Sequence, residues 1–199
     1  AQSQIGIRGR SWIADKFEKG EPATAMDLST QELDPANHAW EICLMTEHIE
    51  SALAAKGIEL PTPAAPVASY VPAVEAGGLL YISGQVSMSD GKLITGRLGD
   101  DMSLEEGQQA AKACALMIAA QIKKAAGSLD RVDRIVKLGV FVNSTAEYTD
   151  HPKVANGCSD MMEVIFGAAG QHARSAVGVS SLPLGVAVEV DAIIALKPE

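Results

Sequence analysis

One segment of the chain has a clear helical repeat of apolar residues. Ser103-Leu104-Glu105-Glu106 has the order of a capping box, in which a serine and a glutamate three residues later satisfy the free amides of a helix start. Small and apolar residues follow at helical spacing at Ala111, Ala115 and Ile118, and Gly127 is placed to end the helix. The pattern predicts one long amphipathic helix.

Extended segments precede this helix. A glycine turn at Ala76-Gly77-Gly78 separates two extended runs, Ser69–Val74 and Leu79–Ser83. Because glycine tolerates positive φ, this order predicts a β-hairpin. Asp90-Gly91 is a second turn signal, and a short edge strand is predicted at Lys92–Thr95.

A second helix and three strands are predicted after Gly127. Ile135–Val142 is rich in β-branched residues, which is typical of a covered strand. A helix should begin near residues 150–152 and end at Gly167, and two strands should follow at Arg174–Val179 and Val186–Leu196. The helix is expected to bury Val154, Met161, Val164 and Ile165. This order predicts an α+β fold with two helices on one face of a mixed sheet, whose other face is covered by self-association.

The first part of the chain differs from the rest. Residues 1–44 contain both tryptophans and no sustained apolar repeat, so we expect an extension or a remnant added to the native chain. Residues 45–66 are predicted to form a leader helix, with Thr46 as its cap, and a proline-rich connector. The organised domain is expected over residues 67–199.

Charge and cysteine content exclude several classes of protein. The 199 residues carry a formal charge of −9, with 47% hydrophobic and 21% charged residues, which is typical of a folded globular protein and disfavours nucleic-acid binding. No apolar run reaches the roughly 20 residues of a membrane span. The three cysteines are odd in number and widely spaced, so a cytoplasmic protein without disulfides is expected.

Two charged residues stand out as candidates for chemistry. Arg174 begins a strand after a glycine-rich turn, where its guanidinium could hold a carboxylate through two hydrogen bonds. A structural ion pair with Glu189 or a surface aspartate is the alternative. Glu189 lies between two valines of the last strand, where its carboxylate could have a raised pKa and act on water, or could simply be exposed.

Other residues give weaker signals. Tyr70 is either a cleft residue or a half-buried aromatic, and Asn156 either a cleft residue or a solvated one. Cys114 is expected to be buried and inert, whereas His172 could line the cleft of Arg174. The histidines lack the spacing of a metal site, and no phosphate-binding loop occurs.

Several segments in one order resemble the Rid (reactive intermediate deaminase, YjgF-like) family, over roughly residues 67–197. They are Gly78-Leu79-Leu80-Tyr81-Ile82-Ser83-Gly84-Gln85, Ala125-Ala126-Gly127, Val136-Lys137-Leu138-Gly139-Val140-Phe141-Val142, His172-Ala173-Arg174-Ser175-Ala176-Val177, Leu182-Pro183 and Val188-Glu189-Val190-Asp191-Ala192-Ile193. The resemblance implies a chorismate-mutase-like fold, a homotrimer with clefts between subunits, and hydrolysis of enamines and imines such as 2-aminoacrylate to 2-keto acids and ammonia, without metal or organic cofactor.

The resemblance also implies roles for individual residues. Arg174 would hold the substrate carboxylate and Glu189 would position or activate water. The remaining cleft positions of the family correspond to Tyr70, Gly84, Asn156 and Ala176. This chain has His172 before the arginine motif and Ala176 after it, where the family often has proline and cysteine. Two hypotheses follow: an imine hydrolase, and a trimeric protein that binds a small carboxylate metabolite without turnover. Ribonuclease activity is a distant third.

Overall fold

The computed structural model describes residues 48–63 and 69–198, and the predictions for residues 1–44 and for Thr46 lie outside these ranges. Three helices are described: α1 Ile49–Ala55, α2 Leu104–Ala126 and α3 His151–Phe166. The seven strands are β1 Ala73–Ala76, β2 Leu79–Val86, β3 Met88–Ser89, β4 Lys92–Leu93, β5 Val132–Asn143, β6 Ala173–Val179 and β7 Val188–Leu196.

Five strands form one mixed sheet in the order β1-β2-β7-β5-β6. The pairs β1–β2, β2–β7 and β5–β7 are antiparallel, whereas β5 and β6, which α3 connects, are parallel. The strands β3 and β4 form a separate hairpin. The predicted mixed sheet is confirmed, and β6 lies at its edge.

Both predicted hairpin turns are present and have the backbone that their residues allow. Gly77 and Gly78 have φ values of 60° and 75°, and Asp90 and Gly91 have values of 51° and 73°. Two consecutive positive φ values match the twist of paired strands, so each turn directly connects its two strands. The strand after Asp90 is shorter than predicted and ends at Leu93.

The helix α2 begins and ends as predicted. Ser103 Oγ accepts a hydrogen bond from the Glu106 amide at 3.2 Å, and the Glu106 carboxylate accepts one from the Ser103 amide at 2.8 Å. Gly127 ends the helix with a φ of 82°. The prediction that Val164 points inward on α3 is wrong, because the buried residues there recur at Val154, Cys158, Met161 and Ile165, and Val164 lies off that stripe.

The helices α2 and α3 cover one face of the sheet, so burial alternates along β7. Val188, Val190 and Ala192 are buried in the core beneath the helices. Glu189 and Asp191 point to the opposite side, which we call the open face. Large apolar side chains are also exposed in this sheet, including Tyr81, Val136 and Val177. Self-association through the open face stays a prediction.

The leader helix α1 is held by a residue far away in sequence. The Ile49 amide donates to Asp130 Oδ1 at 2.9 Å, and His48 Nδ1 lies 2.6 Å from Asp130 Oδ2. Burial alone would raise the pKa of Asp130. The hydrogen bonds from Ile49 and His48 and the charge of His48 have a larger, opposite effect, so the pKa of Asp130 lies below its ordinary value. Asp130 therefore caps α1 as a carboxylate.

Candidate functional site

Arg174 extends from the edge strand β6 toward the start of α3. It is paired with the buried Leu138 of β5, so both side chains point to the helix side of the sheet. Arg174 Nη1 donates to Asn156 Oδ1 at 3.0 Å and to Ser159 Oγ at 2.8 Å, and Nη2 donates to the Pro152 carbonyl at 3.2 Å. The guanidinium is thus held in a fixed orientation.

All three of these partners are uncharged. Within residues 48–63 and 69–198, Arg174 makes no ion pair, and the suggested structural pair with Glu189 is absent. A guanidinium that is oriented by neutral acceptors keeps its positive charge for an anion from solution. This arrangement favours the first interpretation of Arg174, as an anchor for a carboxylate.

Arg174 lines a surface cleft of about 490 Å³ between α3 and the turn before β6. The other lining residues are Ser159, Asp160, Glu163, Gly170, Gln171 and His172. The prediction that His172 shares a cleft with Arg174 is confirmed. Ser159 was missed, although its position three residues after Asn156 on a predicted helix places both residues on one face.

Glu189 lies on the open face, opposite Phe141 of β5. A methyl group at Gly84 would overlap the Glu189 carboxylate, with 2.8 Å to its Cδ, so glycine at this position allows the carboxylate to lie across β2. Burial, and secondly the charge of Asp191, raise the pKa of Glu189. A half-buried carboxyl with a raised pKa is a stronger base than an exposed one and is suited to proton transfer. The partial burial and raised pKa of Glu189 therefore favour a carboxylate that can act on water over a simply exposed glutamate.

A second carboxylate on the open face, Asp191, was not singled out from the sequence. Its Oδ1 accepts a hydrogen bond from the Gly139 amide at 3.1 Å. A methyl group at Gly139 would overlap this carboxylate. Asp191 also lines a cleft of about 410 Å³ that includes Gly84 and Lys137. Glu189 and Asp191 are thus accommodated in the same way, each beside a glycine of the neighbouring strand.

The predicted site residues fall into two groups on opposite faces of the sheet. Arg174 and Asn156 are in contact on the helix side, and Glu189 and Gly84 are in contact on the open face. Because the sheet separates the two groups, the guanidinium and the Glu189 carboxylate of one chain do not face one ligand. The valines on either side of Glu189 indicate the face of that carboxylate, whereas no local pattern indicates the face of Arg174.

The two remaining predicted residues lie at the periphery. Tyr70 is 52% exposed and lies just before β1, next to Val71, which lines the cleft that contains Gly84. Ala176 is paired with Val140 and packs against the core from the helix side. Its short side chain offers no functional group, so only its backbone could meet a ligand.

The described cysteines are poor nucleophiles. Cys114 and Cys158 are free and buried, as expected for Cys114. Burial raises the pKa of Cys158 to about 12, against a smaller opposite effect of the Arg174 charge. Burial likewise raises the pKa of Cys114.

In the described ranges no three His, Cys, Asp or Glu side chains are grouped as metal ligands. No helix in these ranges has both the length and the apolar character that crossing a membrane requires.

Comparison with known proteins identifies the fold. Residues 50–194 match the model of the family described as YjgF/chorismate mutase-like, "putative endoribonuclease". The chain belongs to this family. The match includes both groups of candidate residues and confirms the predicted chorismate-mutase-like fold.

Two curated relatives illustrate the range of YjgF-like proteins that this chain resembles. It is 51% identical to protein TCP17 of Trypanosoma cruzi over 143 aligned residues, and the alignment covers 71% of this chain and 89% of that protein. It is 28% identical to a Dermatophagoides farinae protein named 2-iminobutanoate/2-iminopropanoate deaminase over 142 aligned residues. This alignment covers 70% of this chain and 95% of that protein.

Two crystal structures of relatives share the fold. The protein Atu1372 of Agrobacterium tumefaciens, described as having unknown function, has a TM-score of 0.71 at 40% identity and covers 80% of this chain and 99% of its own. A Shewanella oneidensis protein, described as a "putative endoribonuclease", has a TM-score of 0.73 at 36% identity and covers 75% of this chain and 100% of its own.

Proposed function

We propose that this YjgF-like chain hydrolyses 2-imino acids, and the enamines that tautomerise to them, to 2-keto acids and ammonia. The observation that carries the proposal is the Arg174 guanidinium, which is oriented by three neutral partners, has no carboxylate partner in the described ranges and faces a cleft of about 490 Å³. A small 2-imino acid has one permanent anionic group, its carboxylate, which a guanidinium binds through two parallel hydrogen bonds.

The reaction needs little more than a held substrate, a positioned water and proton transfers. Water adds to the electrophilic carbon of the protonated C=N group and its proton goes to a base, which gives a neutral carbinolamine. The base returns the proton to the nitrogen, the C–N bond breaks and ammonia leaves, and the hydroxyl proton passes to the base as the carbonyl forms. Glu189 is suited to take and return the proton, because its raised pKa lies closer to neutral pH.

Arg174 and Glu189 can act on one substrate only if two chains contribute to the same cleft. We propose that the protein is a homotrimer, in which the Arg174 side of one chain meets the Glu189 side of the next and forms a cleft. The separation of the two groups by the sheet supports this arrangement. The exposed apolar residues Tyr81 and Val177 support it as well, because association would bury them.

Three further observations bear on the substrate and the location of the protein. The Dermatophagoides farinae relative is named as a deaminase of 2-iminobutanoate and 2-iminopropanoate, which belong to the substrate class proposed here. The formal charge of −9 gives ribonuclease activity little support, despite the family description. The buried free thiols of Cys114 and Cys158 are compatible with the predicted cytoplasmic location.

The proposal is tested by release of keto acid and ammonia from freshly generated 2-imino acids. Arg174→Ala should raise KM strongly, and Glu189→Gln should lower kcat at nearly unchanged KM, because Gln keeps the shape and loses the titratable group. Arg134→Ala and Glu147→Gln, at exposed positions outside both groups, are the matched controls. No saturable acceleration by the wild-type protein would refute the proposal.

A binding protein without turnover is the second candidate. It is favoured by the position of the arginine anchor, which is complete on the helix side of a single chain and lies away from Glu189. In that case the wild-type protein binds a 2-keto acid without accelerating hydrolysis, Arg174→Ala abolishes binding, and Glu189→Gln leaves it intact.

A further inference from the structure

His172 continues the hydrogen-bond chain that begins at Arg174. Ser159 Oγ, which accepts from Arg174 Nη1, also lies 3.0 Å from His172 Nε2. The other ring nitrogen, Nδ1, contacts the Gly170 carbonyl in the turn between α3 and β6. The imidazole is thus held at both nitrogens, and the serine hydroxyl lies between the imidazole and the guanidinium.

The chemistry of the end groups fixes the direction of each hydrogen bond. The Gly170 carbonyl only accepts, so His172 Nδ1 carries a hydrogen. In the neutral ring Nε2 is then an acceptor, and the Ser159 hydroxyl donates to it. The same hydroxyl oxygen accepts from Arg174, which only donates. Neutral His172 therefore engages the Ser159 hydrogen, which is then not available to a ligand in the cleft.

Protonation of His172 reverses one link of this chain. Nε2 becomes a donor, and the Ser159 oxygen then accepts from both His172 and Arg174. The hydroxyl hydrogen must turn elsewhere, and the cleft is the space that both residues line. Protonation thus adds a positive charge and frees one O–H donor beside the Arg174 guanidinium, and both changes favour a bound carboxylate.

We infer that His172 is a positioning residue that acts through Ser159 on the Arg174 anchor and makes carboxylate binding in this cleft stronger when the imidazole is protonated. The inference rests on the proposed role of Arg174 as the carboxylate anchor. It is based on the contacts of both ring nitrogens of His172 and on the Ser159 hydroxyl that His172 and Arg174 share.

Other charged groups face the same cleft, so their effect on the pH dependence of binding must be distinguished from that of His172. Asp160 and Glu163 project from α3, and Glu163 Oε1 accepts from Gln171 Nε2 at 2.9 Å. Arg174 itself projects from β6. A variant at His172 alone keeps these three groups, so the difference between its pH dependence and that of the wild type isolates the imidazole.

The experiment measures the affinity of 2-oxobutanoate, a stable keto acid whose carboxylate stays ionised, by calorimetry between about pH 5.5 and about pH 8, where histidine changes charge. His172→Gln keeps an acceptor for the Ser159 hydroxyl and never gains a charge. His151→Gln is the matched control, because His151 Nε2 lies 3.0 Å from Ser144 Oγ in a second serine–histidine pair outside the cleft.

We expect the wild-type protein and His151→Gln to bind the probe about three- to tenfold more tightly at the acidic end, the size of one partly screened charge interaction. His172→Gln should retain binding close to that of the wild type at the alkaline end and lose most of this pH dependence. An unchanged pH dependence in His172→Gln would overturn the inference.

A second readout does not depend on activity or affinity. The guanidinium NMR signals of Arg174 should shift with pH in the wild-type protein, shift less in Ser159→Ala, where only the charge of His172 acts, and stay constant in His172→Gln. Signals that titrate equally in all three proteins would overturn the inference while leaving the anchor intact. Absence of probe binding at every pH, by contrast, would refute both the anchor and its dependence on His172.

Discussion

Two inactive variants should restore each other if the proposed clefts form between chains. Arg174→Ala removes the anchor on the helix side, and Glu189→Gln removes the proton-transfer group on the open face. Each variant leaves the other group untouched, because the sheet lies between them. A mixed assembly can therefore contain clefts in which both residues are native, although no single chain in it is native.

The size of the effect follows from the three-fold arrangement. In the proposed trimer, each cleft would take its helix side from one chain and its open face from the next. After equal and random mixing, the chance of a native Arg174 is one half and the chance of a native Glu189 is one half, so about one cleft in four is restored. The mixed sample should reach about a quarter of the wild-type rate per chain, whereas each variant alone stays near zero.

The assay is keto acid release after the two variants have been produced together or refolded together from denaturant. A chain that carries both substitutions, mixed with either single variant, is the control, because none of its clefts regains both residues from the mixture. A mixed sample that stays at the parental rates, while its mass shows that trimers of both chains have formed, would refute a cleft shared between subunits.

Three further predictions concern single residues. Gly84→Ala should displace the Glu189 carboxylate and lower kcat about tenfold or more, with little change in the affinity of keto acids. Asp130→Ala should cost about 0.5–2 kcal/mol and free α1, measured by hydrogen exchange at Ile49. Because the folded-state pKa of Asp130 is lowered, its contribution is complete above about pH 4 and is lost as pH falls through that lower value. Cys158 should resist alkylation in the native protein and react after denaturation.

Local chemistry made much of the fold predictable from the sequence. The capping box at Ser103 and the cap at Gly127 define α2, and the turn residues at Gly77-Gly78 and Asp90-Gly91 define both hairpins. These signals are local, because each depends on hydrogen bonds or φ values within a few residues. The inward position of Val164 was mispredicted because a short helical stripe can be read in more than one way from apolar residues alone.

The site was less predictable, because it depends on contacts between distant parts of the chain. Arg174 and Glu189 were recognised as candidates, but the sheet face of each depends on strand register, which the sequence does not display. Asp191 escaped notice because its role depends on a glycine that is 52 residues away. His172 and Ser159 are 13 residues apart and meet only because the turn before β6 folds back on α3.

The cap of α1 also sets an order of events during folding. A helix of seven residues is too short to persist alone in water, and its capping carboxylate lies 81 residues further along the chain. On the ribosome, α1 emerges well before Asp130 and lacks this cap at that moment. Docking of α1 must therefore wait until α2 and the turn after it have been synthesised, which makes it a late event in the maturation of the protein.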